Sequence, residues 1–136
     1  MQVFADVGAV DVLTDYFKSG VDFTLQLFTD NASPARGDTN ASRTVPDATG
    51  GYADKTLTVA GATVSDPAIP QVAWAQQVFT FTGAIQGAGT IYGYQILRGT
   101  TLITQELLAV PFTPANNGDH IDITPIIQLG NGDPAA

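Results

Sequence analysis

The chain contains no cysteine among its 136 residues. This absence excludes disulfide frameworks, zinc–thiolate sites and thiol catalysis. Long apolar runs are also missing, because no segment approaches the roughly 20 residues that a membrane-spanning helix needs. The first ten residues, MQVFADVGAV, lack a basic stretch and already carry Asp6, so we do not expect a signal peptide there. A membrane is therefore not an expected partner.

Basic residues are scarce as well. Five lysine and arginine residues stand against 13 acidic ones, which gives a formal net charge of −8. Glu106 is the single glutamate, and all other acidic residues are aspartates, which favour turns and helix caps over helix interiors. Because an acidic surface repels a phosphate backbone, nucleic acid is not an expected partner.

The residues that are present describe a folded domain. The length fits one domain, which can bury enough surface to fold without disulfide bonds or structural metal ions. The hydrophobic content is 44% and the charged content only 13%, a balance that argues against disorder. Together with 14 glycines and 8 prolines, the aspartates indicate a β protein with many turns.

The segment from residue 6 to residue 20 is the one good helix candidate. Its apolar side chains recur at i, i+3 and i+7, at Val10, Leu13 and Phe17. Asp6 can cap the start of this helix, Lys18 places a cation in its last turn, and Gly20 can end it. Because the apolar stripe is narrow, we expect the helix to lie against a sheet edge or a neighbouring subunit.

From Val21 onward the hydrophobic period changes to two. Val21, Phe23, Leu25 and Leu27 alternate with polar residues, which predicts a half-buried strand. Further strands are predicted at residues 55–59, 71–82, 90–97, 101–110 and 121–129. The segments 90–97 and 101–110 form a hairpin around a tight turn at residues 98–100, and residues 116–119 form another turn.

Apolar side chains mark the buried faces of two of these strands. In the strand at 71–82, we expect one face to carry Val72, Trp74 and Val78 and the other to carry Phe79 and Phe81. In the last strand, the inner face is predicted to comprise Ile121, Ile123, Ile127 and Leu129.

Six or so strands with turn-rich connections predict a mainly β fold. The expected architecture is a single-domain antiparallel β-sandwich or a jelly-roll-like barrel, with one short N-terminal helix. We assign residues 1–20 to an N-terminal arm or helix and residues 21–136 to the β-sandwich domain. That domain includes a long loop at about residues 30–54, with Val45 and Tyr52 as its sizeable apolar anchors.

The long loop contains triplets that imitate an extracellular adhesion module. The sequons at Asn31 and Asn40 flank the tripeptide Arg36-Gly37-Asp38. A segment rich in proline, glycine, asparagine and aspartate produces such triplets by composition alone. Glycosylation also needs a eukaryotic secretory route, of which the sequence gives no sign. We therefore expect neither a glycan nor adhesion through Asp38.

Few residues suggest catalysis or metal binding. His120, the single histidine, lies between Asp119 and Asp122, and an exposed residue at a strand end is its simplest interpretation. The run from Asp38 to Asn40 begins like a calcium loop but lacks the glycine and the distal glutamate that such a loop requires, which leaves only adventitious calcium binding. No metal site and no cofactor are predicted.

The glycine-rich segment at residues 83–90 invites comparison with a phosphate-binding loop. It lacks the lysine and lies between two predicted strands instead of before a helix, so a flexible hairpin loop is the expected structure. Since no nucleophile, base and orienting group occur together, the sequence does not predict an enzyme.

Five short motifs follow one another along most of the chain. They read FTLQLFTDN at 23–31, GYADKTL at 51–57, QQVFTF at 76–81, TIYGY at 90–94 and NNGDHIDITP at 116–125. In this order they resemble a family of small structural proteins of tailed bacteriophages. The sequence departs from that pattern at residues 47–50 and in the short turn at 98–100.

The resemblance implies a virion component on the capsid exterior, a decoration or cement protein. Its expected partners are the major capsid protein and further copies of itself, as a dimer or trimer. The helix and the long loop supply the candidate capsid or subunit contacts, namely Val10, Leu13, Phe17, Arg36, Asp38 and Arg43. Covering of a sheet edge is the alternative role for either segment.

The sequence is also compatible with a second class of function, that of a carbohydrate-binding module. A tail or fibre domain could recognise host surface carbohydrate through Trp74, Tyr92 or Tyr94. Trp74 lies in an alternating strand, however, where a role in the core is the expected one.

Overall fold

The computed structural model describes residues 5–129. Within that range one α-helix precedes nine strands, and two three-residue 3-10 helices (Thr49–Gly51 and Gln86–Ala88) lie between the strands. The helix is α1 (Asp6–Phe17). The strands are β1 (Phe23–Phe28), β2 (Lys55–Leu57), β3 (Thr63–Ser65), β4 (Gln71–Ala73), β5 (Gln77–Thr80), β6 (Ile91–Arg98), β7 (Thr101–Phe112), β8 (His120–Ile123) and β9 (Ile126–Gln128).

The strands form three antiparallel sheets. The largest has the strand order β2-β1-β6-β7, the second has β3-β4-β9, and the third pairs β5 with β8. The predicted fold class is confirmed, since the protein is a mainly β single-domain sandwich with one helix. It is not a closed barrel, because β2 and β7 remain the outer strands of the largest sheet.

Helix α1 packs into the core of the sandwich. It lies against β3 and β4 and buries Leu13 and Phe17. The ring of Phe17 stacks on Phe23 with centroids 5.0 Å apart and meets the edge of Trp74 at 5.9 Å. Such aromatic pairs stabilise a core beyond the area they bury. The helix is thus a part of the domain's own core as well as a cover for the outer strand β3.

The predicted start of the helix needs a correction. Ala5, in an extended conformation, is the N-cap and provides no side-chain cap. Asp6 lies in the first turn, where its carboxylate favours the positive end of the helix dipole. At the other end Lys18 is the C-cap, and its Nζ donates a hydrogen bond to the carbonyl of Ala62 over 2.6 Å. Gly20 follows with a φ of +85°.

Strand β1 has the predicted alternation, since Phe23, Leu25 and Leu27 are fully buried. Val21 lies before the strand and is exposed. The hairpin of β6 and β7 around the turn at residues 99–100 is confirmed. At the turn of residues 116–119, the Asp119 carboxylate accepts hydrogen bonds from the backbone N–H groups of Ala115 and Asn116.

Two predicted strands are in fact pairs of strands in different sheets. Residues 71–82 divide into β4 and β5, and Val78 is exposed instead of sharing a buried face with Trp74. Residues 121–129 divide into β8 and β9, because Pro125 interrupts the run and cannot donate to a ladder. Strand β3 was not predicted.

The glycine-rich segment at 83–90 is not a hairpin loop. It connects β5 to β6, which belong to different sheets, and Ile85 anchors it by burying its side chain. The buried Ile85 side chain holds this connection between sheets against the core, in place of the expected flexible turn.

Both faces of the four-stranded sheet are covered. One face carries Leu25 and Ile96 and packs into the main core. The opposite face carries Phe28, Gln95 and Leu97, which are also buried. Residues 30–54, which we call the cover loop, lie over this second face, since the guanidinium of Arg43 sits 5.5 Å from the centroid of the Phe28 ring.

Gly93 is required where β6 passes beneath Phe28. A Cβ atom at this position would overlap both the Phe28 ring and the backbone carbonyl of Glu106 on β7. Any side chain would therefore force the cover-loop face and the β6–β7 pairing apart.

Candidate functional site

Arg43 organises the cover loop from within. Its side chain is only 5% exposed and forms an ion pair with Asp38 at 2.8 Å. The same guanidinium donates to the backbone carbonyls of Ala32, Ser33 and Ser42. A buried guanidinium is stable only when such partners surround it, so these contacts hold the polar loop in one conformation.

The Arg-Gly-Asp tripeptide is part of this internal arrangement. The Asp38 carboxylate accepts from Arg43 and from the backbone N–H of Ala35, and the side chain is only partly exposed. Arg36, in contrast, is exposed. Asp38 therefore orders the loop instead of extending into solvent as an adhesion motif requires. Among residues 5–129 no group of three potential metal-ligating side chains comes together.

Tyr52 fixes the end of the cover loop to β1. Its hydroxyl donates to the Asp54 carboxylate over 2.7 Å and accepts from the backbone N–H of Leu27 over 3.0 Å. The ring stacks on Phe79 with centroids 6.0 Å apart. Burial, assisted by the bond to Asp54, raises the pKa of the Tyr52 phenol far above its ordinary value. The neutral phenol is thus a permanent donor to Asp54.

Three glutamine side chains continue this network across the covered face of the sheet. Gln26, Gln95 and Gln105 lie opposite one another on β1, β6 and β7. We call this row the amide ladder. Gln105 Nε2 donates to Gln95 Oε1 over 3.0 Å, and Gln95 Nε2 donates to Gln26 Oε1 over 2.9 Å. Gln26 Nε2 then donates to Asp54 over 2.9 Å.

Asp54 determines the direction of the amide ladder. An ionised carboxylate accepts hydrogen bonds but cannot donate them, so Gln26 must present its Nε2 to Asp54 and its Oε1 to β6. The same orientation then passes from amide to amide and leaves Oε1 of Gln105 at the β7 end. That oxygen is buried and has no hydrogen-bond partner within the described chain.

Two cavities flank the same part of β7. The larger is an apolar groove of about 480 Å³ between α1, β7 and β9, lined by Val12, Leu13, Tyr16, Phe17, Leu102, Ile103, Thr104, Ile127, Gln128 and Leu129. The smaller, about 180 Å³, lies between β7 and the cover loop and is lined by Pro34, Ala35, Arg36, Asp38, Leu102, Ile103, Thr104 and Gln105. Residues 102–104 border both cavities.

The candidate contact residues fall into different surroundings. Leu13 and Phe17 are buried in the chain's own core, although their edges form the floor of the apolar groove. Val10 is half-buried. Arg43 and Asp38 bind each other inside the cover loop, and of the three polar candidates Arg36 alone is exposed. The structure therefore joins Arg43 to Asp38 within the cover loop and places Leu13 and Phe17 in the core.

The aromatic residues considered for carbohydrate binding are mostly inaccessible. Trp74 is in the core, as predicted, and its Nε1 donates to the carbonyl of Thr58 over 3.0 Å. Tyr94 is also buried, and its hydroxyl donates to the Glu106 carboxylate. Tyr92 is half-buried. His120 is exposed at the first residue of β8, as predicted.

Sequence reasoning missed the amide ladder and the role of β7. Gln26 and Gln95 are 69 residues apart in sequence, so no local pattern could pair them. The only sign of the amide ladder in the sequence is a glutamine near the centre of each of the strands β1, β6 and β7.

Comparisons with protein-family models, with curated proteins and with solved structures gave no match. Between residues 5 and 129, no helix is both long and apolar enough to cross a membrane. The function is therefore inferred from the chain's own residues and geometry.

Proposed function

We propose that the chain is a structural protein of a tailed-bacteriophage virion that decorates and stabilises the outer capsid. The observation that carries this proposal is the apolar groove between α1, β7 and β9, about 480 Å³ in volume and bordered by exposed valine. Apolar surface left accessible on a folded domain marks a site for binding another molecule. The resemblance of the five ordered motifs to phage structural proteins supports the capsid lattice as that molecule.

A rigid scaffold supports the groove. Leu13 and Phe17 form its floor and belong to the main core, while the amide ladder ties β7 to β6 and β1. A preformed surface loses little entropy on binding. Binding at many equivalent lattice sites adds avidity, so modest contacts at each site suffice. A protein that binds assembled shells but not free subunits stabilises the shell by mass action.

Two valines provide a matched test. Val12 lines the groove and is 47% exposed, whereas Val78 lies on β5 outside the groove and is 43% exposed. Val12→Gln should weaken binding to heads that lack the protein and reduce the rise in their disruption temperature. Val78→Gln should leave both unchanged. Equal binding by the two variants would show that the groove is not the capsid-binding site. Undecorated heads that resist heat as well as decorated ones would refute the cement role.

The tail or fibre alternative is less well supported by the same geometry. Carbohydrate recognition uses exposed aromatic rings, and the rings of Trp74 and Tyr94 are buried. A change in tryptophan fluorescence on addition of host polysaccharide would favour that alternative over capsid binding.

A further inference from the structure

The turn that leads into β8 contains a chemically labile pair of residues, Asn117-Gly118. Asparagine is among the thermolabile residues, and it is prone to deamidation when glycine follows it. Glycine has no Cβ atom to obstruct attack by its own backbone nitrogen on the preceding side chain. Both residues are exposed, so solvent reaches the reacting atoms.

Gly118 is held in a β-bulge that extends the pairing of β5 with β8. Its backbone N–H donates to the carbonyl of Phe81 over 2.9 Å, and the N–H of Phe81 donates to the carbonyl of Asp119 over 2.7 Å. Two residues of one strand thus oppose one residue of the other. Gly118 has a φ of +95°, the conformation for which this type of bulge uses glycine. The fold therefore needs the same glycine that makes Asn117 labile.

The side chain of Asp119 holds the turn closed. Its carboxylate accepts hydrogen bonds of 2.8 Å from the backbone N–H groups of Ala115 and Asn116. Its own backbone N–H donates to the carbonyl of Asn116 over 3.2 Å. Hydrogen bonds to an ionised acceptor are among the stronger ones, so these contacts keep Gly118 in place against Phe81.

We propose that Asn117 is a site of spontaneous deamidation whose rate is set by opening of this bulge. The backbone nitrogen of Gly118 loses its proton to water or hydroxide and forms a bond to Cγ of Asn117. Nδ2 takes up a proton and leaves as ammonia, which produces a succinimide ring. Water then adds to either ring carbonyl and opens the ring to aspartate or isoaspartate. In the closed bulge the hydrogen bond to Phe81 keeps the proton on the nitrogen, so the attack requires local opening.

The products weaken the pairing of β5 with β8. Either one places a new carboxylate close to Asp119, and isoaspartate also adds a carbon atom to the backbone before Gly118. The longer backbone displaces the Gly118 N–H from the carbonyl of Phe81, so the bulge no longer closes as before. The reaction is measured on the purified chain without capsids, and its outcome is independent of the proposed function.

Peptide mapping by mass spectrometry, after incubation at mildly alkaline pH, locates and times the reaction. Mapping is needed because a second such pair, Asn131-Gly132, lies outside the described residues. We expect Asn117 to deamidate at least about tenfold more slowly in the folded chain than in urea. Asn40 is a matched control, since it is also exposed but precedes Ala41, whose Cβ obstructs the attack. It should stay intact while Asn117 reacts in urea.

Asp119→Ala tests the control of the rate by opening. It removes the acceptor for two backbone N–H groups, so Asn117 should deamidate about tenfold faster in the folded chain. Asp122→Ala is the matched control and should leave the rate unchanged, because Asp122 is an exposed aspartate of β8 and its removal changes the net charge equally. Hydrogen exchange of the Gly118 amide measures the same opening directly, and it should rise by the same factor as deamidation.

Several results would overturn the proposal. They are an intact Asn117 in urea, equal deamidation rates in the folded chain and in urea, equal acceleration by Asp119→Ala and Asp122→Ala, and deamidation of Asn40 as fast as that of Asn117. If Asp119→Ala does not fold, low concentrations of urea open the bulge in the wild-type chain instead. Gly118 exchange that rises there without a proportional rise in deamidation would equally contradict the proposal.

Discussion

Nε2 of Gln105 on β7 lies 3.0 Å from Oε1 of Gln95 on β6, and this bond is the last link in a row that begins at Asp54. Gln95 is fully buried and both donates and accepts within the row. Its two bonds join β1, β6 and β7 on the face that the cover loop protects. The polar residues beneath the loop are thus satisfied by one another, with the exception of Oε1 of Gln105 and Nε of Arg43.

Gln95→Leu should lower the free energy of unfolding by about 2–4 kcal/mol, because it leaves the Gln26 acceptor and the Gln105 donor buried without partners. Urea denaturation measures this change. Gln76→Leu is the matched control, since Gln76 is exposed, and its effect should stay within about 0.5 kcal/mol. Equal effects of the two substitutions would show that the ladder contributes nothing specific.

Arg43→Met should lower the free energy of unfolding by about 3 kcal/mol, because it removes the buried guanidinium that pairs with the partly exposed Asp38 carboxylate and with three backbone carbonyls. Arg36→Met, in the same loop but at an exposed residue, should change it by less than about 0.5 kcal/mol. Hydrogen exchange of the amides at residues 32–44 would add a local measure of the same contrast. Similar exchange in both variants would contradict the organising role of Arg43.

Tyr52 predicts a loss of stability at alkaline pH. Its pKa is raised in the folded protein by burial and by the bond to Asp54, so the folded state holds the phenolic proton more tightly than the unfolded state. The resulting stability is fully present below the unfolded value of about 10 and decreases as pH rises above it. Unfolding free energies measured from about pH 8 to about pH 11 should fall less steeply for Tyr52→Phe. An unchanged slope would contradict this assignment.

The packing of α1 predicts that the helix cannot be removed without damage to the sandwich. Phe17→Ala should lower the free energy of unfolding by about 3–5 kcal/mol, because it opens a cavity beside Phe23 and Trp74. Val12→Ala, at an exposed position of the same helix, should cost less than about 1 kcal/mol. Deletion of residues 1–20 should therefore impair folding as well as assembly. A deletion variant with the full β spectrum and cooperative unfolding would show that the helix is a separate arm.

The sequence predicted the elements whose signals are local. The alternation at Phe23, Leu25 and Leu27 predicted β1, and the short turn at Gly99 predicted the hairpin of β6 and β7. The alternation of buried residues within 71–82 shifts by one position, from the even-numbered Val72 and Trp74 to the odd-numbered Phe79. This shift marks the point where the chain passes from one sheet to another. From the sequence alone, we instead interpreted it as a single strand with two apolar faces.

The site itself could not be predicted in the same way. The amide ladder joins three strands through pairing that depends on tertiary register, and Gln26 and Gln105 look like ordinary solvent-facing residues of half-buried strands. The role of Arg43 could not be predicted for a similar reason. The composition of residues 30–54 shows that the cover loop is polar, but it does not show that the loop covers a second buried face of the sheet.

Cosedimentation with expanded, undecorated capsids of a tailed bacteriophage, the source proposed for the chain, tests the central claim most directly. We expect saturable binding to assembled shells, no binding to free capsid subunits, and a weaker interaction for Val12→Gln than for Val78→Gln. A chain that stays in the supernatant at every shell concentration, while purified and correctly folded, would contradict the proposed decoration of the capsid.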